Sequence, residues 1–124
     1  MNALVDTSVW VDHFRNRNAH LAQLLLEERV LTHPMVRLEL ACGPPPEPRR
    51  QTLRELGLLP LSLHVSWNEV MAFIERRKFY GLGCGLVDLT LLASTLITPD
   101  TGLWTLDKRL SGLAKACGVL YPPG

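Results

Sequence analysis

The chain contains 124 residues, of which 47% are hydrophobic and 20% are charged, and its formal net charge is +1. This length and composition predict a single globular domain, residues 1–124, that is large enough to bury a core. The near-neutral charge excludes a strongly basic surface, so any groove for a nucleic acid has to be local. No apolar run reaches the ~18 residues that a membrane-spanning helix needs, and we expect no membrane association.

The first half of the chain alternates short apolar runs with helical patterns. The predicted elements are a strand at residues 3–5, a helix capped by Thr7 and Ser8, a helix at residues 21–28, a strand at residues 30–32, and a helix from Pro34 to Gly43. Proline suits the first position of a helix and glycine the position after its end. A proline run at residues 44–48 follows, which predicts a stiff connector.

The second half continues the same alternation. Its predicted elements are a helix at residues 49–56, a strand within residues 58–63, a helix from the capping box at Ser66 to about residue 80, a helix at residues 86–97, a strand at residues 103–105, a helix at residues 108–116, and a strand at residues 119–121. Strands that alternate with helices predict an α/β fold, a three-layer α/β/α sandwich around a small parallel sheet. In such sheets the active crevice lies beyond the carboxyl ends of the strands.

Four acids, Asp6, Glu39, Asp88 and Asp107, lie within apolar runs at the ends of predicted elements. A carboxylate in such surroundings loses hydration worth several kcal/mol unless something compensates it. If the acids converge, a hard divalent cation is the expected compensator, and the chemistry is metal-dependent. Each acid also has a structural explanation: Asp6 and Asp107 would cap helices, Glu39 would extend from an exposed face, and Asp88 would pair with an arginine.

Hydroxyl groups and cations accompany the acids. Thr7 and Ser8 follow Asp6, and Thr105 precedes Asp107, which suits support of the carboxylates or of metal-bound water. Substrates with phosphate groups need local positive charge. The candidate RNA-contacting residues are Arg37, Lys108 and Arg109.

Four ordered motifs make the sequence similar to a known family. They read DTSVW at residues 6–10, ELACG at residues 39–43, GLVD at residues 85–88 and GLWTLD at residues 102–107. This order resembles the PIN domain, and the size and layout most resemble the VapC-type toxins of toxin–antitoxin pairs. One departure is Arg109, which stands where the family often carries a further acid, so only one metal site is firmly expected.

The resemblance implies an endoribonuclease that depends on Mg²⁺ or Mn²⁺ and cleaves single-stranded or structured RNA. Asp6, Glu39, Asp88 and Asp107 would be its catalytic residues, with Asp6 and Asp88 as direct metal ligands. A cognate antitoxin would hold the enzyme inactive, and a homodimer is common in the family. The three scattered cysteines form no CxxC pair and suit a reducing compartment, so the expected localisation is cytoplasmic.

Two other functions are compatible with parts of the pattern. An acid directly after a strand, like Asp6, also occurs in phosphoaspartate receivers and phosphohydrolases, although these usually add a second acid or a lysine that ends a late strand. Lys108 follows an acid instead. A catalytically silent module that binds RNA or a protein partner is the third interpretation, but such a module gains nothing from four costly acids.

Overall fold

The structure is a computed structural model that describes residues 1–122. Within these residues one sheet contains three strands: β1 (Asn2–Val5), β2 (Val30–Leu31) and β3 (Thr101–Trp104). All three are parallel in the order β2-β1-β3, so β1 is the central strand. Continuous apolar runs and full burial explain this position, because the three apolar residues of β1 have no exposed surface.

Seven helices within the described residues flank the sheet. They are α1 (Thr7–Asn16), α2 (Ala19–Leu26), α3 (Pro34–Cys42), α4 (Arg49–Leu56), α5 (Trp67–Arg77), α6 (Leu86–Ile97) and α7 (Lys108–Ala116). This arrangement confirms the predicted α/β/α sandwich with a small parallel sheet. None of the helices in residues 1–122 combines the length and the apolar character required to cross a bilayer.

The helix boundaries follow local capping chemistry, with one correction. The capping box of Ser66 and Glu69 starts α5 as predicted, since each residue bonds the backbone of the other. The predicted caps of α1, Thr7 and Ser8, are wrong. Asp6 is the N-cap instead, because its backbone is extended (φ −70°, ψ 156°) and its side chain accepts from the Ser8 N–H.

Other predicted boundaries also change. Helix α5 ends at Arg77 and not near residue 80, because Lys78 adopts a left-handed conformation with φ 58°. The strand predicted within residues 58–63 is a single bridge between Thr32 and Leu61, next to Pro60, which has no N–H to continue a ladder. The strand predicted at residues 119–121 is likewise a single bridge, between Leu103 and Leu120.

The strand order places a crevice at the carboxyl end of β1. The chain leaves β1 and returns as β2 on one side, whereas β3 pairs with β1 on the other side. The connections therefore diverge at the end of β1, which is where open α/β sheets bind their ligands. Asp6 is the first residue after β1 and stands at this point.

Candidate active site at the carboxyl edge of the sheet

Asp6 is fixed at the junction of β1 and β3. Its N–H donates to the Trp104 carbonyl at 2.9 Å, which continues the pairing of the two strands. The side chain is only 5% exposed, and its Oδ2 accepts hydrogen bonds from the hydroxyls of Ser8 at 2.7 Å and Thr105 at 2.8 Å. These bonds compensate the buried charge and hold the carboxylate in one orientation.

The two hydroxyls also connect the loops that follow the strands. The Ser8 hydroxyl accepts from the Leu106 N–H at 3.0 Å, and the Thr105 hydroxyl accepts from the Asp107 N–H at 3.1 Å. Each hydroxyl therefore bonds the Asp6 carboxylate, which follows β1, and a backbone group that follows β3. The predicted supporting role of these residues has a geometric basis in this network.

Glu39 approaches the same edge from α3. Its Oε1 accepts a 2.6 Å hydrogen bond from the Thr7 hydroxyl at the start of α1. Unlike Asp6, Glu39 is exposed, so the apolar neighbours in the sequence do not surround its carboxylate. The bond across 32 residues places Glu39 next to the first turn of α1.

Asp88 lies in the first turn of α6 and is half-buried. Its Oδ2 accepts from the Gly85 N–H at 3.3 Å. Burial raises the pKa of Asp88, the hydrogen bond from the Gly85 N–H lowers it by less, and the charges of the three other acids each raise it by a smaller amount. The acids that act on Asp88 are Asp6, Asp107 and Glu39. Asp88 is therefore near enough to the other three acids for their charges to act on it.

Asp107 is exposed and caps α7, with its Oδ1 accepting from the Leu110 N–H at 2.9 Å. Capping thus accounts for one oxygen of Asp107 and, through the Ser8 N–H, for one oxygen of Asp6. In all four acids one carboxylate oxygen accepts hydrogen bonds. Among residues 1–122 the second oxygen of each carboxylate accepts no hydrogen bond. Capping and membership of one acidic site are therefore compatible.

Carboxylate oxygens are the donors that hard divalent cations prefer, so the chemistry of this cluster suits Mg²⁺ or Mn²⁺. The carboxylates of the four acids lie farther apart than the ligands of a single bound ion. Within the described residues, no three His, Cys, Asp or Glu side chains stand close enough to ligate one ion together. Glu39 and Asp107 are exposed and each accepts a single hydrogen bond, whereas Asp6 is buried and held by two hydroxyls.

The predicted RNA-contacting cations divide between two places. Arg109 is at the acidic edge, since a β-carbon at Gly83 would lie 2.5 Å from its Nη1, and its charge acts on the neighbouring Cys84. Lys108 is exposed beside Asp107. Arg37 is elsewhere, because its Nη2 lies 2.9 Å from the β-carbon position of Gly57, against the end of α4.

The loop before α6 carries a glycine in a left-handed conformation and packs against Arg109. Gly83 has φ +89°, a conformation that favours glycine, and Arg109 packs against its open face. Burial raises the pKa of the Cys84 thiol, and the charges of Asp88 and Asp107 add to this effect. The alternation of glycines at positions 81, 83 and 85 was the available signal for a loop shaped around the site.

The fold and this acidic edge define a class of protein. The chain matches the PIN domain over residues 3–116, and it belongs to that family. It is also 40% identical, over 116 residues, to ribonuclease VapC32 of Mycobacterium tuberculosis, in both strain CDC 1551 / Oshkosh and strain ATCC 25618 / H37Rv. Each match covers 94% of this chain and 93% of the relative. The resemblance identified from the four motifs is confirmed.

Proposed function

We propose that this protein is a metal-dependent endoribonuclease and acts as the VapC-type toxin of a toxin–antitoxin pair. The observation that carries the proposal is that hydroxyl hydrogen bonds connect the segments of Asp6, Glu39 and Asp107 at the carboxyl edge of the sheet, where the charges of these acids act on Asp88. The family and the 40% identity to a ribonuclease support the same function. The family and this relative favour the nuclease function over a phosphoaspartate receiver or a silent binding module.

Asp6 and Asp88 would hold a Mg²⁺ or Mn²⁺ ion, each through the oxygen that accepts no hydrogen bond. When bound, the cation offsets the negative charge of the phosphodiester and activates water for attack. Ser8 and Thr105 keep Asp6 in the orientation that such a ligand needs. Glu39 and Asp107 would complete the cage around the cation or orient the attacking water.

The cations at the edge would position the RNA. Arg109 and Lys108 flank the acids and can contact the phosphates on either side of the scissile bond. Arg37 lies against α4 and would contact RNA only along that more distant surface. RNA cleavage in a bacterial or archaeal cell takes place in the cytoplasm, and the three free cysteines are compatible with that compartment.

The direct test is cleavage of a single-stranded RNA by the purified protein. We expect cleavage with millimolar Mn²⁺ or Mg²⁺, and its complete loss with excess EDTA. Cleavage should return when the metal is restored, which separates inhibition from denaturation. Cleavage that persists in EDTA would contradict the metal-dependent function.

The partners we propose are a cognate antitoxin and a second copy of the chain. A helical face suits the second copy, because Trp67 (83% exposed), Met71 and Leu86 line an apolar cavity of about 320 Å³. Two copies of α5 that pack around a two-fold axis would therefore cover this apolar face.

We expect Met71→Glu to convert the homodimer to a monomer, because a carboxylate at this apolar face would be buried without a partner. Sedimentation velocity measures the change. Leu26→Glu is the matched control, since Leu26 is 80% exposed on α2, and it should leave the dimer intact. A wild-type protein that sediments as a monomer at micromolar concentration would refute the homodimer.

A further inference from the structure

A cavity of about 330 Å³ opens beside the acidic cluster, between α1, the end of α3 and the proline run. Its apolar lining consists of Val11, Phe14, Leu40 and the prolines at residues 44–46. Thr7 and Glu39, which share the 2.6 Å hydrogen bond, form the wall towards the other acids. The cavity and the candidate active site thus have two residues in common.

The proline wall is held in place from both ends. The Arg49 guanidinium donates to the carbonyls of Ala41 at 2.6 Å and Gly43 at 3.0 Å, just before the prolines. The Thr52 hydroxyl donates to the Pro46 carbonyl at 2.8 Å. Proline rings fix φ and add no N–H donor, so this wall is a stiff apolar surface. A preformed pocket loses little freedom when it binds a ligand.

We infer that this cavity is a subsite for one nucleobase of the RNA, adjacent to the phosphodiester that the acidic cluster cleaves. The inference rests on the proposed nuclease function and extends it to the choice of substrate. A nucleobase has two apolar faces, which stack on aromatic and aliphatic side chains, and a polar edge. The apolar walls suit the faces, and the Thr7 hydroxyl oxygen at the mouth can accept an N–H from the edge.

Two observations favour RNA as the occupant over an apolar protein segment. Glu39 belongs to both sites, so a strand with its phosphodiester at the acids brings a neighbouring base to the mouth of the cavity. Arg15 lies at the rim, is exposed, and has no ion pair within residues 1–122. It is placed to contact the next phosphate of the same strand. An apolar protein segment would use neither Glu39 nor Arg15.

The test is cleavage of a mixed-sequence RNA pool with Mn²⁺, in which the cut positions are mapped by sequencing. We expect the wild type to prefer certain bases at one position next to the cut. Val11→Trp would fill the cavity, abolish this preference and lower kcat/KM on the preferred RNA by about 10- to 100-fold. Leu26→Trp adds the same indole to the exposed face of α2 and should keep the wild-type preference.

A second measurement uses the wild type alone and does not depend on the folding of a variant. An abasic nucleotide at the preferred position should lower cleavage by about 10-fold or more, whereas abasic nucleotides several positions away should not. A wild type that cleaves no RNA refutes the nuclease function itself. Cleavage by the wild type without a base preference overturns the nucleobase subsite. An unchanged preference in Val11→Trp, together with lost antitoxin binding, also overturns it and assigns the cavity to a protein partner.

Discussion

Asp6→Asn is expected to lower the rate of metal-dependent RNA cleavage at least about 10³-fold, because it removes one of the two proposed charged metal ligands and the transition-state stabilisation that depends on it. The fold should survive the change. Asparagine is also a good N-cap, and its single oxygen can still accept from Ser8 and Thr105. Initial cleavage rates and melting temperatures of the two proteins measure the effect.

Asp100→Asn is the matched control for this substitution. Asp100 is exposed and precedes β3, so it stands at the opposite edge of the sheet, near the amino terminus of the chain. Its φ of 50° is also one that asparagine accepts readily. We expect Asp100→Asn to cleave RNA at the rate of the wild type. If Asp6→Asn also cleaved at the wild-type rate, Asp6 would be excluded from the site.

The same experiment gives a graded result for the residues that orient Asp6. Thr105→Val removes one of the hydrogen bonds to Oδ2 and leaves the carboxylate in place, so cleavage should fall by about 10- to 100-fold. Thr101→Val is a matched control, because Thr101 is equally buried at the other end of β3 and bonds only the Pro99 carbonyl. A similar loss in both variants would indicate a general effect on packing.

Asp88→Asn is expected to abolish cleavage and yet melt a few degrees above the wild type in EDTA at pH 7. Burial and the neighbouring acids raise the pKa of Asp88, so the folded protein binds this proton more tightly than the unfolded chain does. Stability therefore falls as pH rises through the folded-state pKa, and the ionised carboxylate destabilises the fold at neutral pH. Asparagine removes the charge and keeps an oxygen for the Gly85 N–H.

Two conditions should reverse or remove the difference in melting temperature between Asp88→Asn and the wild type. In acid, below the ordinary carboxyl pKa of about 4, Asp88 is protonated in both states and the variant loses its advantage. At a Mn²⁺ concentration of about 100 times Kd, binding adds about 2.7 kcal/mol to the free energy of unfolding of the wild type. For a chain of this size, this gain in free energy raises the Tm of the wild type by roughly 10 °C. The Tm of Asp88→Asn should rise much less. A wild type whose Tm ignores Mn²⁺ would argue against the metal site.

The sheet and the location of the site were predictable because they depend on local pattern. Continuous apolar runs indicated β1 and β3, and the carboxyl ends of neighbouring parallel strands meet at one edge. Asp6 and Asp107 follow those strands in the sequence, so their common edge needed no further information. The two bridges at Leu61 and Leu120 were predicted as strands, because an apolar run does not show how many backbone groups find a partner.

The environment of each acid was not predictable in the same way. All four have apolar neighbours in the sequence, but only Asp6 is buried, Asp88 is half-buried, and Glu39 and Asp107 are exposed. Exposure depends on which helix face packs against another element, and successive residues of a helix point in different directions. Arg37 illustrates this point, since it lies two residues from Glu39 on α3 and extends towards Gly57 instead of the acids.

The amino-acid sequence alone thus determined the family, the parallel α/β fold and the four acids, because apolar runs, caps and acids at element ends are local features of the chain. Only the tertiary structure decided how the acids are used. The Thr7–Glu39 bond spans 32 residues and the Thr105–Asp6 bond spans 99. Contacts between distant segments arise when elements pack. Within residues 1–122 that packing leaves one oxygen of each of the four carboxylates without a hydrogen bond, and it opens the cavity beside Glu39.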